Sequence, residues 1–375
     1  MSLDIMLSQI SNVKVENKLI NIFRHAANIL LLCGIFVVAG SSSCKEDTAS
    51  TPAPTPDKNK FRNPILTKGP DPWVTEYENV YYVTHTTGTN LKLYKTEKMS
   101  TLANASSKTV WMPPTVGMNA KNIWAPEIHH ANGAWYFYYA ADDGNNANHR
   151  IWVLENTSPD PFQGTWVDRG ELDLPDDKWA IDGTLLQHNG ELYFMWSGWE
   201  GDTDVRQDIY IAKMINPWTV EGERVRISKP ELPWELIGSP PGVNEGPQFL
   251  LHGDKIFVVY SASGCWTDDY TLGLVTANSS ANLLDPAAWS KLNQPVFSKF
   301  PDGQVFGPGH ASFFASPDST ESWLLYHANP RAGQGCEDDR SVRMQKFTWK
   351  EDGTPDFGRP VALDADQNIP SGEIE

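Results

Sequence analysis

The chain has 375 residues, a net charge of −17 and 11% aromatic residues, with 28 Gly and 27 Pro. So acidic a balance argues against nucleic acid or anionic lipid surfaces as partners and tolerates neutral ones such as sugars. Long amphipathic helical patterns are scarce, and many short apolar runs separated by turn residues predict an all-β protein, large enough to bury a core without metal or disulfide help.

Residues 1–43 have the pattern of an export signal peptide. Lys14, Lys18 and Arg24 precede an apolar run from Ile29 to Ala39, followed by Gly40-Ser41-Ser42-Ser43-Cys44. The run is too short for an ordinary membrane span. Small residues before a cysteine resemble the lipobox of bacterial lipoproteins, so Cys44 is the expected lipidation site and new N-terminus. Cys33, behind Leu32 inside the apolar run, is the poorer candidate. The expectation is an exported outer-membrane lipoprotein, periplasmic or at the cell surface, touching the membrane only through its lipid. Lys45-Glu46-Asp47 resembles surface-export signals of some lipoproteins. Residues 44–60 are polar and Pro-rich without periodicity and read as a flexible tether. Residues 61–375 read as one folded domain, expected to be a monomer.

Within that domain five stretches begin alike: Asp71-Pro-Trp-Val, Glu127-Ile-His-His, Asp182-Gly-Thr-Leu, Glu245-Gly-Pro-Gln and His310-Ala-Ser-Phe. Each passes through a turn into an aromatic strand, such as Tyr81-Tyr82-Val83 or Trp135-Tyr136-Phe137. The openers recur every 55 to 65 residues, and each is followed 36 to 44 residues later by a tryptophan: Trp111, Trp166, Trp218, Trp289 and Trp349. A unit of this length copied five times predicts a five-bladed β-propeller, with blades of about four antiparallel strands around an axial funnel. The openers then converge on one mouth of the axis. The loops after each second strand form its rim: 86–90, 141–149, 197–204, 263–269 and 328–339. They carry Trp199, Trp266 and Arg331, residue types suited to sugar rings and hydroxyls. They also carry Cys265 and Cys336, which adjacent loops of an exported protein would join as a disulfide; two unpaired thiols are the alternative.

Carboxylates held together in a partly dry funnel resist joint ionisation, so one stays protonated at neutral pH while another is charged. That pair is what glycoside hydrolysis requires: an acid for the leaving oxygen, and a base for water. A single Asp-Pro or Glu-Gly-Pro would read as a turn or a strand cap; repetition at matched positions gives Asp71, Asp182 and Glu245 their chemical meaning.

The blocks Gly69-Pro70-Asp71-Pro72-Trp73, Trp124-Ala125-Pro126-Glu127, Ile181-Asp182-Gly183 and Asn244-Glu245-Gly246-Pro247 resemble the signature blocks of glycoside hydrolase family 43. The resemblance runs from about Asn63 to Val361. It implies an inverting enzyme on arabinose- or xylose-containing polysaccharides, with Asp71 as general base, Glu245 as general acid and Asp182 tuning and orienting the acid. It places Trp124 with the substrate-positioning groups, and Glu127 as a structural or substrate-positioning group. Arg340, spaced from Gln345 as in family xylosidases, becomes a sugar contact, and Arg343 competes for that place. No cofactor is required, but the resemblance implies a structural calcium ion on the axis near His310, held through water. Ser341-Val342-Arg343-Met344-Gln345 and Thr354-Pro355-Asp356-Phe357-Gly358 resemble α-L-arabinofuranosidases, and rim loops long enough to close a pocket favour cleavage at chain ends. β-Xylosidase, endo-arabinanase and a non-catalytic sugar-binding lipoprotein are the alternatives.

Overall fold

A computed structural model of the protein describes residues 57–373. The expected signal peptide, Cys44 and the tether as far as residue 56 lie outside the described residues. The rest of the tether ends sooner than expected, because Lys60 already pairs with Asn368, and Phe61 with Gln367, in a two-stranded ladder.

Five four-stranded antiparallel units follow in chain order. Blade one comprises Trp73–Tyr77, Val80–Thr84, Leu91–Thr96 and Ser106–Trp111, and blade two Lys121–Ala131, Ala134–Asp142, Arg150–Asn156 and Val167–Glu171. Blade three comprises Ala180–His188, Glu191–Trp199, Arg206–Asn216 and Thr219–Ser228, and blade four Gly242–His252, Lys255–Ala262, Thr271–Asn278 and Ser290–Lys291. Blade five comprises Phe306–Ala315, Ser322–Asn329, Ser341–Trp349 and Pro355–Asp356. The first strand of each blade touches the first strands of the blades before and after it, and that of blade five touches that of blade one. The fold is the five-bladed β-propeller.

Local sequence explains the blades. The first hairpins of blades one to three turn on Glu78-Asn79, Asn132-Gly133 and Asn189-Gly190, all with positive φ. Two such residues in succession make the type I′ turn whose twist matches the strands it joins. The second strands are aromatic and β-branched, residue types that favour a pleated surface. Ala134–Asp142 is buried at every position, because a blade packs a neighbour on each face. Five apolar clusters result, one at each junction between neighbouring blades. The cluster between blades five and one also takes in Phe61 and Ile65. There the Asn63 side chain bonds both the N–H and the C=O of Met344, each at 2.9 Å, tying the entering segment to the last blade.

The tryptophan echo is less regular than the spacing predicts. Trp166, Trp218 and Trp289 stand directly before the fourth strands of their blades, whereas Trp111 ends a fourth strand and Trp349 ends a third.

Candidate active site

The first strands of blades two to five each carry a bulge at the axial mouth. Pairing skips between Trp124 and Glu127, Ile181 and Thr184, Glu245 and Gln248, and Gly309 and Ser312. The first skipped residue has positive φ in every case: Ala125 (40°), Asp182 (56°), Gly246 (54°) and His310 (50°). Asp71, just before the first strand of blade one, has φ 53°. A bulge bends a strand and re-aims its side chains, and such backbone strain collects at functional sites. This corrects the expectation of five equivalent openers. Asp71, Asp182 and His310 hold the left-handed position itself, but Glu245 comes one residue before it and Glu127 two after.

These bulges open into a pocket of about 400 Å³ whose lining includes Asp71, Asp182, Glu245, His310 and Arg340. All five rim loops contribute, through Thr86, Asn146, Asp204, Trp266 and Asp338 among others.

The three carboxyl groups are in different electrostatic states. Burial opposes ionisation of Asp71, but Arg340, His310 and His327 outweigh it and hold the carboxyl well below the usual carboxylate range. The Arg340 Nη1 donates to Asp71 Oδ1 at 2.8 Å, and the Thr86 hydroxyl donates to Oδ2 at 2.7 Å. Burial pushes Glu245 up to about 7, with Asp71 adding to the rise and a hydrogen bond from Tyr270 opposing it. Asp182 is raised well above its ordinary value, by burial first and then by Glu245 and Asp71. The Gly246 N–H donates to Asp182 Oδ2 at 2.8 Å, which ties Asp182 to the residue after Glu245. At neutral pH the pocket therefore holds one fixed anion and two carboxyl groups biased toward the neutral acid.

Arg340 therefore faces the pocket as an ion-pair partner of Asp71, while Arg343 is fully buried, donating to Ser341 Oγ and to the Gln304 carbonyl. Replacing Arg340 with Met removes the main charge holding Asp71 ionised. The expected outcome is an acid limb of the kcat/KM profile about one to three pH units higher than in the wild type, read from the pH dependence of the rate.

Trp124 and Trp266 also line the pocket. Trp124 stacks on buried His149, with ring centroids 4.0 Å apart, and the His149 ring lies 3.1 Å from the carboxylate of buried Asp142. Trp266 is 46% exposed at the rim. Trp199 and Glu127 stand outside the pocket lining, Glu127 in the structural one of its two expected roles. Trp199 is buried behind Trp179, its ring stacked on that of Trp179 at 5.0 Å, and it is Trp179 that meets the pocket. Glu127 does not line the pocket; its carboxylate is taken up by His129 at 2.8 Å and by the Gln248 amide. Its place two residues beyond the bend turns it toward the neighbouring strands.

His310 sits with Nδ1 3.5 Å from Asp71 Oδ1. Calcium takes about six to eight oxygen ligands. Here the nearest carboxylate oxygen is already bonded to Arg340, and among the described residues no group of three or more His, Cys, Asp or Glu could hold a metal. The donor set around His310 does not fit direct coordination of calcium, and no step below passes through a metal.

Cys265 and Cys336 form a disulfide with Cα atoms 5.2 Å apart, joining the rim loops of blades four and five at the pocket wall. It closes a loop across a separation of 71 residues, long enough that the restraint on the unfolded chain amounts to about 4 kcal/mol. A Cys265→Ser, Cys336→Ser double variant is expected to lose stability of that order, measured by urea unfolding with and without reductant; reductant should affect only the wild type.

Several residues bonded to the pocket's acids gave no repeated signal in the sequence. Thr86 holds Asp71 while accepting from the Ala125 N–H at 2.7 Å. The Tyr270 hydroxyl donates to Glu245 Oε1 at 2.8 Å. His327 Nδ1 accepts from the Asp71 N–H at 3.0 Å, and burial with Arg340 nearby pushes this imidazole down to about 4, so it stays neutral. Each occurs in one blade only, so no period could reveal it.

A pocket that pairs a fixed carboxylate with carboxyl groups held near neutrality has the equipment of a glycosidase. The chain belongs to the glycosyl hydrolases family 43, whose model matches residues 61–355. It is 38% identical over 84% of its length to an extracellular exo-α-(1→5)-L-arabinofuranosidase of Streptomyces avermitilis, of which it spans 66%. It is 35% identical over 80% of its length to the protein of the same description from Streptomyces chartreusis, spanning 90% of that one. The crystal structure of an α-L-arabinofuranosidase from Lactobacillus brevis superposes with a TM-score of 0.77 at 33% identity, covering 81% of this chain and 98% of that one.

Proposed function

We propose that the chain is an exported, inverting exo-α-L-arabinofuranosidase that releases terminal arabinofuranosyl residues from arabinan- and arabinoxylan-type polysaccharides. The observation that carries this reading is the opposite poise of Asp71 and Glu245 across one pocket. Similarity to relatives described as arabinofuranosidases supports the choice of sugar. A pocket walled by all five rim loops supports chain-end cleavage, since it leaves little room for a polymer to pass through.

Glu245, protonated below about 7, gives its proton to the glycosidic oxygen as the bond to the anomeric carbon breaks. Asp71 takes a proton from a water attacking the opposite face of that carbon, and the configuration inverts. Arg340 and Thr86 fix both oxygens of Asp71, so the base is charged and oriented before substrate arrives. Asp182 acts through Glu245: the two carboxyl groups resist joint ionisation, and Asp182 anchors the adjacent backbone at Gly246. After transfer, the Tyr270 hydroxyl stabilises the Glu245 anion.

The test is a product profile on aryl pentosides and on linear and branched arabinan. Release of monomeric arabinose alone is expected. Xylose release, or oligosaccharides without monomer, would overturn the reading.

A further inference from the structure

One buried side chain of the pocket wall has no part in this acid–base scheme. Gln207 is the second residue of the third strand of blade three and lines the same pocket as Asp182 and Glu245, although it is only 8% exposed. Its strand pairs on one side with Glu191–Trp199. On the other side Arg206 and Gln207 form a short parallel ladder with Gly242 and Val243, at the start of the first strand of blade four. Among the described residues this ladder is the one that joins two blades into a continuous sheet. Gln207 thus stands at the joint between the blade carrying Asp182 and the blade carrying Glu245.

Its neighbours hold it still. Arg206 Nε donates to Asp208 Oδ1 at 2.9 Å, and Arg226 donates to the other oxygen of this fully buried carboxylate at 3.2 Å. The buried Ser197 hydroxyl donates to the Asn244 carbonyl at 2.9 Å and lies 3.4 Å from Gln207 Oε1. The single Ser197 proton is committed to Asn244, so the 3.4 Å contact leaves the Gln207 amide without a strong partner, and no other hydrogen bond holds it among the described residues. The amide faces the pocket, where it offers two N–H donors and a carbonyl acceptor to a ligand. A neutral fixed amide beside these ionisable groups suits a hydroxyl, which can both donate and accept.

We infer that Gln207 is a specificity-determining residue whose amide hydrogen-bonds a hydroxyl of the sugar ring held beside Asp182 and Glu245. This rests on the glycosidase reading above. A site built to bond a hydroxyl rejects the analogue that lacks it, because its own polar group is then stranded.

The experiment compares wild type, Gln207→Leu and the isosteric Gln207→Glu on an aryl α-L-arabinofuranoside and its 2-, 3- and 5-deoxy analogues, with unfolding temperatures measured alongside. Both variants are expected to lose roughly 10- to 100-fold in kcat/KM on the parent sugar. On one deoxy analogue the wild type should be slowed by a similar factor, and the substitutions should cost no more. Wild-type kcat/KM in either variant would overturn the assignment. So would an equal loss on the parent and on every deoxy analogue, the mark of a purely structural role. If wild type hydrolyses aryl xylosides and no arabinofuranoside, the arabinose reading fails by itself and Gln207 is judged in the same way on deoxy-xylosides. If it hydrolyses neither, the glycosidase reading fails and the assignment falls with it.

Discussion

Glu245→Gln is expected to lower kcat/KM on an unactivated arabino-oligosaccharide by roughly 100- to 10,000-fold. The glycosidic oxygen of such a substrate leaves as an alkoxide unless it is protonated, and Glu245 is the carboxyl group poised near 7 to do so. Gln keeps the shape and can still accept from Tyr270, so sugar binding should survive. An aryl arabinoside carries a leaving group that departs without a proton, and its loss should be far smaller. The measurement is the ratio of the two losses. Equal losses on both substrates would remove Glu245 from the acid role.

Asp71→Asn should behave differently. Activation of water is needed whatever the leaving group, so the same loss of roughly 100- to 10,000-fold is expected on oligosaccharide and aryl substrate alike. Asn is the informative replacement because Asp71 sits at φ 53°, a left-handed conformation that Asn tolerates and most residues do not. A folded, sugar-binding variant that hydrolyses neither substrate would fit the base role. Loss on the oligosaccharide alone would exclude it. The pair of variants thus separates two carboxyl groups that a simple inactivation test would leave indistinguishable.

The propeller was legible because its repeat writes an opener and an aromatic strand into every blade. The place of the site was legible for a related reason: a polar residue at the start of a first strand, such as Asp71 or Asp182, has nowhere to go but the axis. What the spacing blurred was position by a residue or two. Glu245 and Glu127 look like equivalent copies along the chain. The bulges put Gly246 and Ala125 in the left-handed slot instead, so Glu245 reaches the pocket and Glu127 turns to His129 and Gln248. A bulge depends on which backbone pairs skip, and a repeat length does not encode that. Trp199 was expected at the rim, but two neighbouring tryptophans stack there and it is Trp179 that meets the pocket. Thr86, Tyr270 and Gln207 were out of reach, each contributed once, by a single blade.

The central claim is that Asp71 works as an anion and Glu245 as a neutral acid in one pocket. The pH dependence of kcat/KM on an arabino-oligosaccharide tests it most directly. Glu245 is raised above its ordinary value, so its proton is present at low pH and is lost as pH climbs through about 7. Asp71 is lowered, so it stays charged down to the acid edge of the profile. The account predicts a rate that is high through the mildly acidic range and falls above about pH 7, a fall that disappears on an aryl substrate needing no proton. A rate that keeps rising from pH 7 to about pH 9 on the oligosaccharide, or a fall identical on both substrates, would contradict it.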